Sequence, residues 1–366
     1  MTILLQYREK TTSIRLACGF REMRVGNGRG SLWFIAASAA ILLLAGIVAA
    51  LWATNAPRDP SPGANQPAAS ILSGARPGSA AAIQPLTGPW IVAVQPGHWE
   101  SDLLPAELSR LRRDTGAQWG NLYEVNINRA VVASLISMIE AQGWRAILVP
   151  ATVPPGLRAD AFVAVHADSS TDTSRRGWKL APPWRSSPAG RTLASALSAS
   201  FAAAPGLVQD SGGVTVNMRG YYAFNYRRFN DSISPYTPAV IIEMGFISNS
   251  EDRRLLASDP SFFAGIILRG LQGYFKDRKR SETADLFPME LPWVAAAAEG
   301  AVVRGAPDAN SAALWRIAPG TAMMPVDASG DWYEVFVRSH WATGWVSKND
   351  LVETSDPHWP MPGEHR

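Results

Sequence analysis

Three apolar runs in the middle of the chain each stop at a polar residue. Trp90–Val94 leads into Pro96-Gly97-His98, Ala161–Val165 into His166, and Ala239–Ile242 into Glu243. Short continuous runs of this kind, rich in Val, Ile and Ala, predict buried strands. Between and after them the period changes to that of a helix. Over Glu124–Gln142, residues Ile127, Val131, Leu135, Met138 and Ile139 fall on one face, and Gly190–Ala203 and Phe262–Phe275 read alike. Strands alternating with helices predict an α/β domain over residues 90–280, a mostly parallel sheet flanked by helices. Sites in such sheets form at the carboxyl ends of the strands. His98, His166 and Glu243 all fall there, and Glu124, at the start of its helix, can point at the same crevice.

The two ends of the chain read differently. Ser31–Ala53 is an uncharged run of 23 residues, which at about 1.5 Å each spans the roughly 30 Å hydrocarbon core as a transmembrane helix. Arg8, Lys10, Arg15, Arg21, Arg24 and Arg29 precede it against Glu9 and Glu22. This excess predicts a cytoplasmic stub over residues 1–30 and places everything after residue 53 outside, in the periplasm or on the cell-wall side. A cleaved signal peptide, with Thr54-Asn55-Ala56 as its cleavage site, is the rival reading, although the run is far longer than the 7–15 residues of a signal core. Residues 54–88 are mostly Pro, Ala, Gly and Ser and predict a tether with a reach of roughly 30–35 Å. Beyond a charged, flexible break at Asp277–Glu282, short β-rich runs at 301–305, 321–326, 331–337 and 343–346 predict a small all-β barrel over residues 292–353. The tail from 354 to 366 is expected to be disordered.

Composition narrows the chemistry. The chain has 366 residues, 47% apolar and 18% charged, with a net charge of +3. This rules out a wholly disordered protein, and no Lys/Arg stripe with interleaved aromatics points to nucleic acid. The single Cys18 excludes an intramolecular disulfide and any CxxC metal knuckle. A metal must therefore be held by carboxylates and by some of only five His. Two neutral imidazoles and a carboxylate with a fourth position for water suit catalytic zinc, which leaves the second carboxylate for proton transfer. The bland readings stay open: a strand-end histidine for His98 or His166, and a helix N-terminal acid for Glu124. Glu243 stands out, because a carboxylate straight after a buried apolar strand is costly unless paired or used.

Four segments together resemble a family. Ile91-Val92-Ala93-Val94-Gln95-Pro96-Gly97-His98, Glu124-Val125-Asn126-Ile127-Asn128, Ala164-Val165-His166-Ala167-Asp168 and Val240-Ile241-Ile242-Glu243-Met244-Gly245-Phe246-Ile247-Ser248-Asn249 resemble, in order, the motifs of the zinc-dependent N-acetylmuramoyl-L-alanine amidases of bacterial peptidoglycan. The resemblance runs from Trp90 to about Lys279 and takes in Asp102 and Gly177. It implies one zinc ion held by His98, Glu124 and His166, with Glu243 as the catalytic glutamate. The bond it implies is the amide between N-acetylmuramic acid and L-alanine. Four features depart from the pattern: Trp99-Glu100 replaces the usual glycine pair, which would set a ring and a competing carboxylate beside the metal; Asp168 replaces the usual Asn; the Arg-rich stretch Leu108–Trp119 looks long; and the region before Arg158 looks shortened. Val303-Arg304-Gly305-Ala306-Pro307, Asp331-Trp332-Tyr333-Glu334-Val335 and Thr343-Gly344-Trp345-Val346-Ser347-Lys348-Asn349-Asp350-Leu351 resemble bacterial SH3-like domains, which often bind cell-wall peptides. Trp332 and Trp345 could be ligand platforms or core.

The combined expectation is a membrane-anchored cell-wall amidase with peptidoglycan as its partner and a wall-targeting module at its C-terminal end. Two alternatives stay open: a catalytically silent peptidoglycan-binding scaffold, and a zinc peptidase acting on stem peptides.

Overall fold

The computed structural model describes residues 83–357. The expected cytoplasmic stub, the apolar run 31–53, most of the linker, and His358 and His365 of the tail lie outside the described residues. Among the described residues, no helix is long and apolar enough to cross a membrane.

In chain order the first unit comprises β1 (Ile91–Pro96), a two-residue-strand hairpin β2–β3 (Gln118–Trp119, Leu122–Tyr123), α1 (Glu124–Ala141), β4 (Arg145–Leu148), β5 (Ala161–Asp168), β6 (Lys179–Ala181), α2 (Pro188–Ala202), α3 (Val216–Arg219), β7 (Ala239–Phe246), α4 (Ser250–Leu256) and α5 (Ser261–Phe275). Five strands form one sheet in the order β4-β1-β5-β7-β6. All neighbours are parallel except β6, which runs antiparallel to β7. The α/β expectation therefore holds for this unit.

The period of two along each strand sorts the side chains into two layers. Val92, Val94, Val163, Val165, Val240 and Ile242 face one way and pack against α1, α2 and α5 in the larger core. Ile91, Ala93, Phe162, Ala164, Ala239 and Ile241 face the other way, where irregular segments carrying Val149, Val153, Leu157, Met218, Tyr222 and Phe229 cover them. The three long helices thus occupy one face only. Gln95, His166, Lys179 and Glu243 belong by parity to the other face, where loops leave room for a cleft.

Two expectations need correction. The last stretch of the linker is not a free tether. Ile83 is buried, Gln84 O accepts from Arg158 Nη2 at 2.9 Å, and Gly88 O and Pro89 O accept from Arg280 at 2.6 Å each. The charged break at 277–282 is likewise anchored: Arg280 also pairs with the buried Asp160, and Arg278 pairs with Asp285 at 2.6 Å. Arginine has enough donors to hold two carbonyls and a carboxylate at once, so a run that looks solvated becomes a clasp.

The C-terminal part is all-β, with β8 (Trp293–Ala296), β9 (Ala301–Arg304), β10 (Ala313–Ile317), β11 (Ala322–Ser329), β12 (Trp332–Val337), β13 (Ala342–Ser347) and β14 (Leu351–Thr354). They form one seven-stranded sheet in the order β10-β9-β13-β12-β11-β8-β14, paired antiparallel throughout. Val294, Val303, Ile317, Met323, Val335, Val337 and Val346 fill its core. Trp332 and Trp345 are part-exposed and stand outside that core. His340 lies over Trp315, with ring centres 4.5 Å apart.

Candidate functional site

His98 follows β1 in a left-handed conformation, φ 66°, a region in which histidine is over-represented among non-glycine residues. Gly97 before it is a necessity of packing, since a Cβ there would overlap the His166 ring. Gly116 is another: at φ 74° its Cβ would collide with the Glu124 carboxylate and lie 2.7 Å from His98 Cδ2. With both positions stripped to backbone, three donors converge. Glu124 Oε1 lies 2.9 Å from His166 Nδ1 and 3.3 Å from His98 Nε2. The rings meet edge to face with centres 5.0 Å apart. One donor atom from each of His98, Glu124 and His166 lies within 4.8 Å of the others, forming a group able to hold a metal ion.

The far nitrogens settle what the near ones offer. His98 Nδ1 lies 3.2 Å from the Asp114 carbonyl, which can only accept, so Nδ1 carries the proton and Nε2 presents a lone pair. For His166 the chain is longer. Gln95 Nε2 donates to Pro150 O at 2.8 Å, which turns Gln95 Oε1 toward Tyr221, whose hydroxyl donates to it at 2.9 Å. Burial raises the Tyr221 pKa well above the ordinary tyrosine value, so the hydroxyl keeps its single proton. With that proton committed, the Tyr221 oxygen accepts from His166 Nε2 at 3.3 Å, and His166 Nδ1 is left with its lone pair facing Glu124. Two imidazole lone pairs and a carboxylate oxygen at such separations repel each other unless a cation lies among them. The donor set, two neutral nitrogens and one carboxylate, suits zinc. In the bare cluster protons take that place. Burial opposes a charge on His98, but hydrogen bonding to Glu124 and the charges of Glu124 and Asp114 raise its pKa above 6.5. At His166 burial wins and the pKa is lowered. Burial would also raise Glu124, yet its hydrogen bonds and charge interactions with both imidazoles hold it below the usual carboxylate range.

Glu124 is fixed on all sides. Oε2 accepts from Ala117 N at 2.7 Å, and Oε1 accepts from Ala167 N at 3.1 Å and Asn128 Nδ2 at 3.2 Å. Asn128, one turn along α1, is fully buried and also donates to Gly97 O at 3.3 Å.

Glu243 stands in register with His166 across β5 and β7 and with Lys179 across β6 and β7. Its Oε2 is shielded from solvent and accepts no hydrogen bond. Burial, then the charges of Glu124 and Asp168, raise its pKa well above 4.5 against the opposing pull of Lys179. Lys179 is 1% exposed, pairs with Asp168, and lies 3.5 Å from Asp210 and 4.5 Å over the Phe246 ring. Asp168 thus has a buried cation as its partner.

The four sequence-predicted residues, His98, Glu124, His166 and Glu243, are brought together. The expectation for Trp99 and Glu100 fails. Neither lines the cleft and Glu100 is outside the donor cluster; the turn carries them past the site, with the Trp99 carbonyl accepting from Ala151 N at 2.9 Å. Asp114, from the Arg-rich stretch, is the residue that reaches His98. Sequence reasoning missed Tyr221, Asn128 and Lys179. Asn128 stands four residues after Glu124, the spacing of one helical turn, and that offset was the only signal available. The cleft over the cluster measures about 820 Å³ and is lined by His98, His166, Asp168, Tyr221 and Glu243, and also by Trp341 and Thr343 of the C-terminal sheet.

Comparison with known proteins gives the geometry a context. The model of the N-acetylmuramoyl-L-alanine amidase family matches residues 92–272, just under half of the chain. No curated protein matches. Similar solved structures include the catalytic domain of CwlV, an N-acetylmuramoyl-L-alanine amidase from Bacillus (Paenibacillus) polymyxa var. colistinus, at 19% identity over 52% of this chain and 99% of that one, TM-score 0.37. AmiC2 of Nostoc punctiforme matches at 20% identity over 52% and 99%, TM-score 0.38. The CwlD amidase from Clostridioides difficile, solved in complex with the GerS lipoprotein, matches at 17% identity over 52% and 100%, TM-score 0.37.

Proposed function

Starting from residues 92–272 as a domain of the N-acetylmuramoyl-L-alanine amidase family, we propose that the protein is a membrane-anchored peptidoglycan hydrolase that cuts the amide between N-acetylmuramic acid and L-alanine and depends on one zinc ion. The observation that carries this reading is the pairing of two unlike carboxylates: Glu124, locked among two imidazole lone pairs, and Glu243, close by with an unpartnered oxygen. His98 Nε2, Glu124 and His166 Nδ1 would hold the zinc. When bound, zinc supplies Lewis acidity for the scissile carbonyl and lowers the pKa of water toward about 7. Glu243 would take up one proton of the water and return it to the departing L-alanine nitrogen, which leaves as a neutral amine; the second proton stays on the new lactyl carboxyl and then passes to that amine, so the products are a carboxylate and an ammonium. Its burial suits this task, since a carboxylate with a raised pKa accepts a proton readily near neutral pH. Tyr221 and Asp114 keep the imidazole protons away from the centre.

Residues 31–53 anchor the chain in the membrane with the N-terminus cytoplasmic, and the rest works on the outer side, where its substrate lies. The C-terminal sheet is an SH3-like unit of the same protein. The test is incubation of the protein with purified peptidoglycan, with and without added zinc and chelator, with released fragments identified by mass. Zinc-dependent release of intact stem peptides, leaving free lactyl groups on the glycan, is the expected result. Shortened stems would instead identify a peptidase, and wall binding without release or bound metal would identify a silent scaffold.

A further inference from the structure

The cleft that contains His98, His166 and Glu243 is not built by the α/β unit alone. Trp341, Ala342 and Thr343, at the entry to β13, line it together with Val214–Met218. Their position is held firmly. Arg219 pairs with Glu334 of β12 at 3.2 Å, both about one-fifth exposed or less. Glu334 in turn accepts from Thr343 Oγ1 at 2.7 Å. The Trp184 ring packs on Phe336 with centres 5.1 Å apart. Arg185 donates from its backbone N to Val326 O at 3.1 Å and from Nε to Pro325 O at 2.8 Å. Met324, Val326 and Phe336 form a buried cluster against which Trp184, Val216 and Trp341 pack. One short stretch serves both sides: Arg219 grips the C-terminal sheet and Tyr221, two residues on, holds His166.

Trp341 itself has a left-handed backbone, φ 49°, which bulky side chains seldom adopt, and its ring meets the Phe336 ring edge to face at 5.4 Å. A large aromatic residue kept in a costly conformation at the rim of a cleft, braced by a buried ring, has the character of a preorganised contact. The cleft volume of about 820 Å³ accommodates several sugar or amino-acid residues rather than one amide.

We propose that the C-terminal sheet is part of the substrate cleft, and that Trp341 is a specificity-determining residue that packs on the peptidoglycan strand away from the bond being cut. This rests on the amidase reading for the identity of the substrate. The arrangement replaces the picture of an independent wall-targeting module: contacts at Trp341 act on the same strand that Glu243 attacks, so remote binding energy is available to the reaction.

The test uses the full-length protein in detergent carrying Glu243→Gln, so that ligand stays intact, and soluble peptidoglycan fragments of two disaccharide–peptide repeats. Adding Trp341→Gly, which suits the left-handed backbone, is expected to weaken fragment binding at least tenfold. Trp341→Leu, which keeps apolar contact with Phe336 but has no aromatic face, is the second variant and is expected to weaken it to a similar extent with an unchanged unfolding midpoint. Unchanged affinity in both variants overturns the proposal, as does failure of the Glu243→Gln protein to bind the fragments. In the protein with Glu243 intact, Arg219→Ala is expected to lower stem-peptide release, and a rise would overturn the proposal by identifying the sheet as an inhibitory cover. Binding that depends on Trp341 without any stem-peptide release by the unmutated protein would sink the amidase reading and leave this inference standing.

Discussion

Glu124 and Glu243 belong to one site, and the protein treats them in opposite ways. Around Glu124 both oxygens have donors: two backbone amides and Asn128 donate to it, and two imidazoles crowd its Oε1. Around Glu243 one oxygen is buried with nothing to accept from, in register with a lysine whose charge is already claimed by Asp168. A carboxylate held from all sides keeps its charge and its position, which is what a metal ligand needs. One left short of partners is poised to take a proton, which is what a base needs. Position in the chain does not separate the two carboxylates; the number of donors does.

Four experiments break or sharpen that contrast. His166→Ala removes a member of the donor cluster and is expected to abolish both stoichiometric zinc binding and turnover; a mutant that still held one zinc per chain would show the ligand set to be wrong. Glu243→Ala leaves the cluster intact, so zinc content should be unchanged while stem-peptide release falls by about 10^2 to 10^4-fold, the usual worth of a general base. Full activity in that variant would remove Glu243 from the mechanism. Tyr221→Phe frees His166 Nε2 and the tautomer it dictates. Zinc affinity, measured by competition with a chelator, should weaken by about 10- to 100-fold, and Tyr221→His should recover only part of it.

The smallest effect is on stability. In the metal-free protein the folded-state pKa of Glu243 lies above its unfolded value of 4.5. As pH rises past 4.5 the unfolded chain loses this proton first, so ionisation favours unfolding, and the penalty grows until the folded-state pKa is passed. Glu243→Gln is therefore expected to raise the unfolding midpoint at pH 7 by roughly 2–4 °C, the equivalent of about 1 kcal/mol for a unit of this size, and to lose that advantage below pH 4.5. Equal midpoints at pH 7 would mean that Glu243 is not strained by its burial.

Much of this site is legible in sequence because its parts sit on strong local patterns. The runs 161–165 and 239–242 announce β5 and β7, and the recurrence of apolar residues at every fourth position, Ile127, Val131, Leu135 and Ile139, announces α1, so the residues at their ends acquire a place. Glu243 is conspicuous in the sequence for the reason that its pKa is raised, a charge buried at the end of an apolar run. The rest depends on partners distant in the chain. Tyr221 lies in a stretch with no period, and its role comes from Gln95, 126 positions away. β6 has three residues, one of them a lysine, and nothing local distinguishes it from a loop. Arg219 and Glu334 are ordinary surface charges until they meet across 115 positions. The extra strands β8, β10 and β14 are short or part-exposed and gain their identity only by pairing.

The Arg280 clasp has a mechanical consequence. It ties the backbone at Gly88 and Pro89, just ahead of β1, to the segment that follows α5 and to Asp160, just ahead of β5. Tension arriving along the chain from the N-terminal side meets this three-way knot before it reaches the sheet. The load passes into the end of the helical layer and the neighbouring strand, and β1, which carries His98 at its far end, is spared from being peeled out from between β4 and β5.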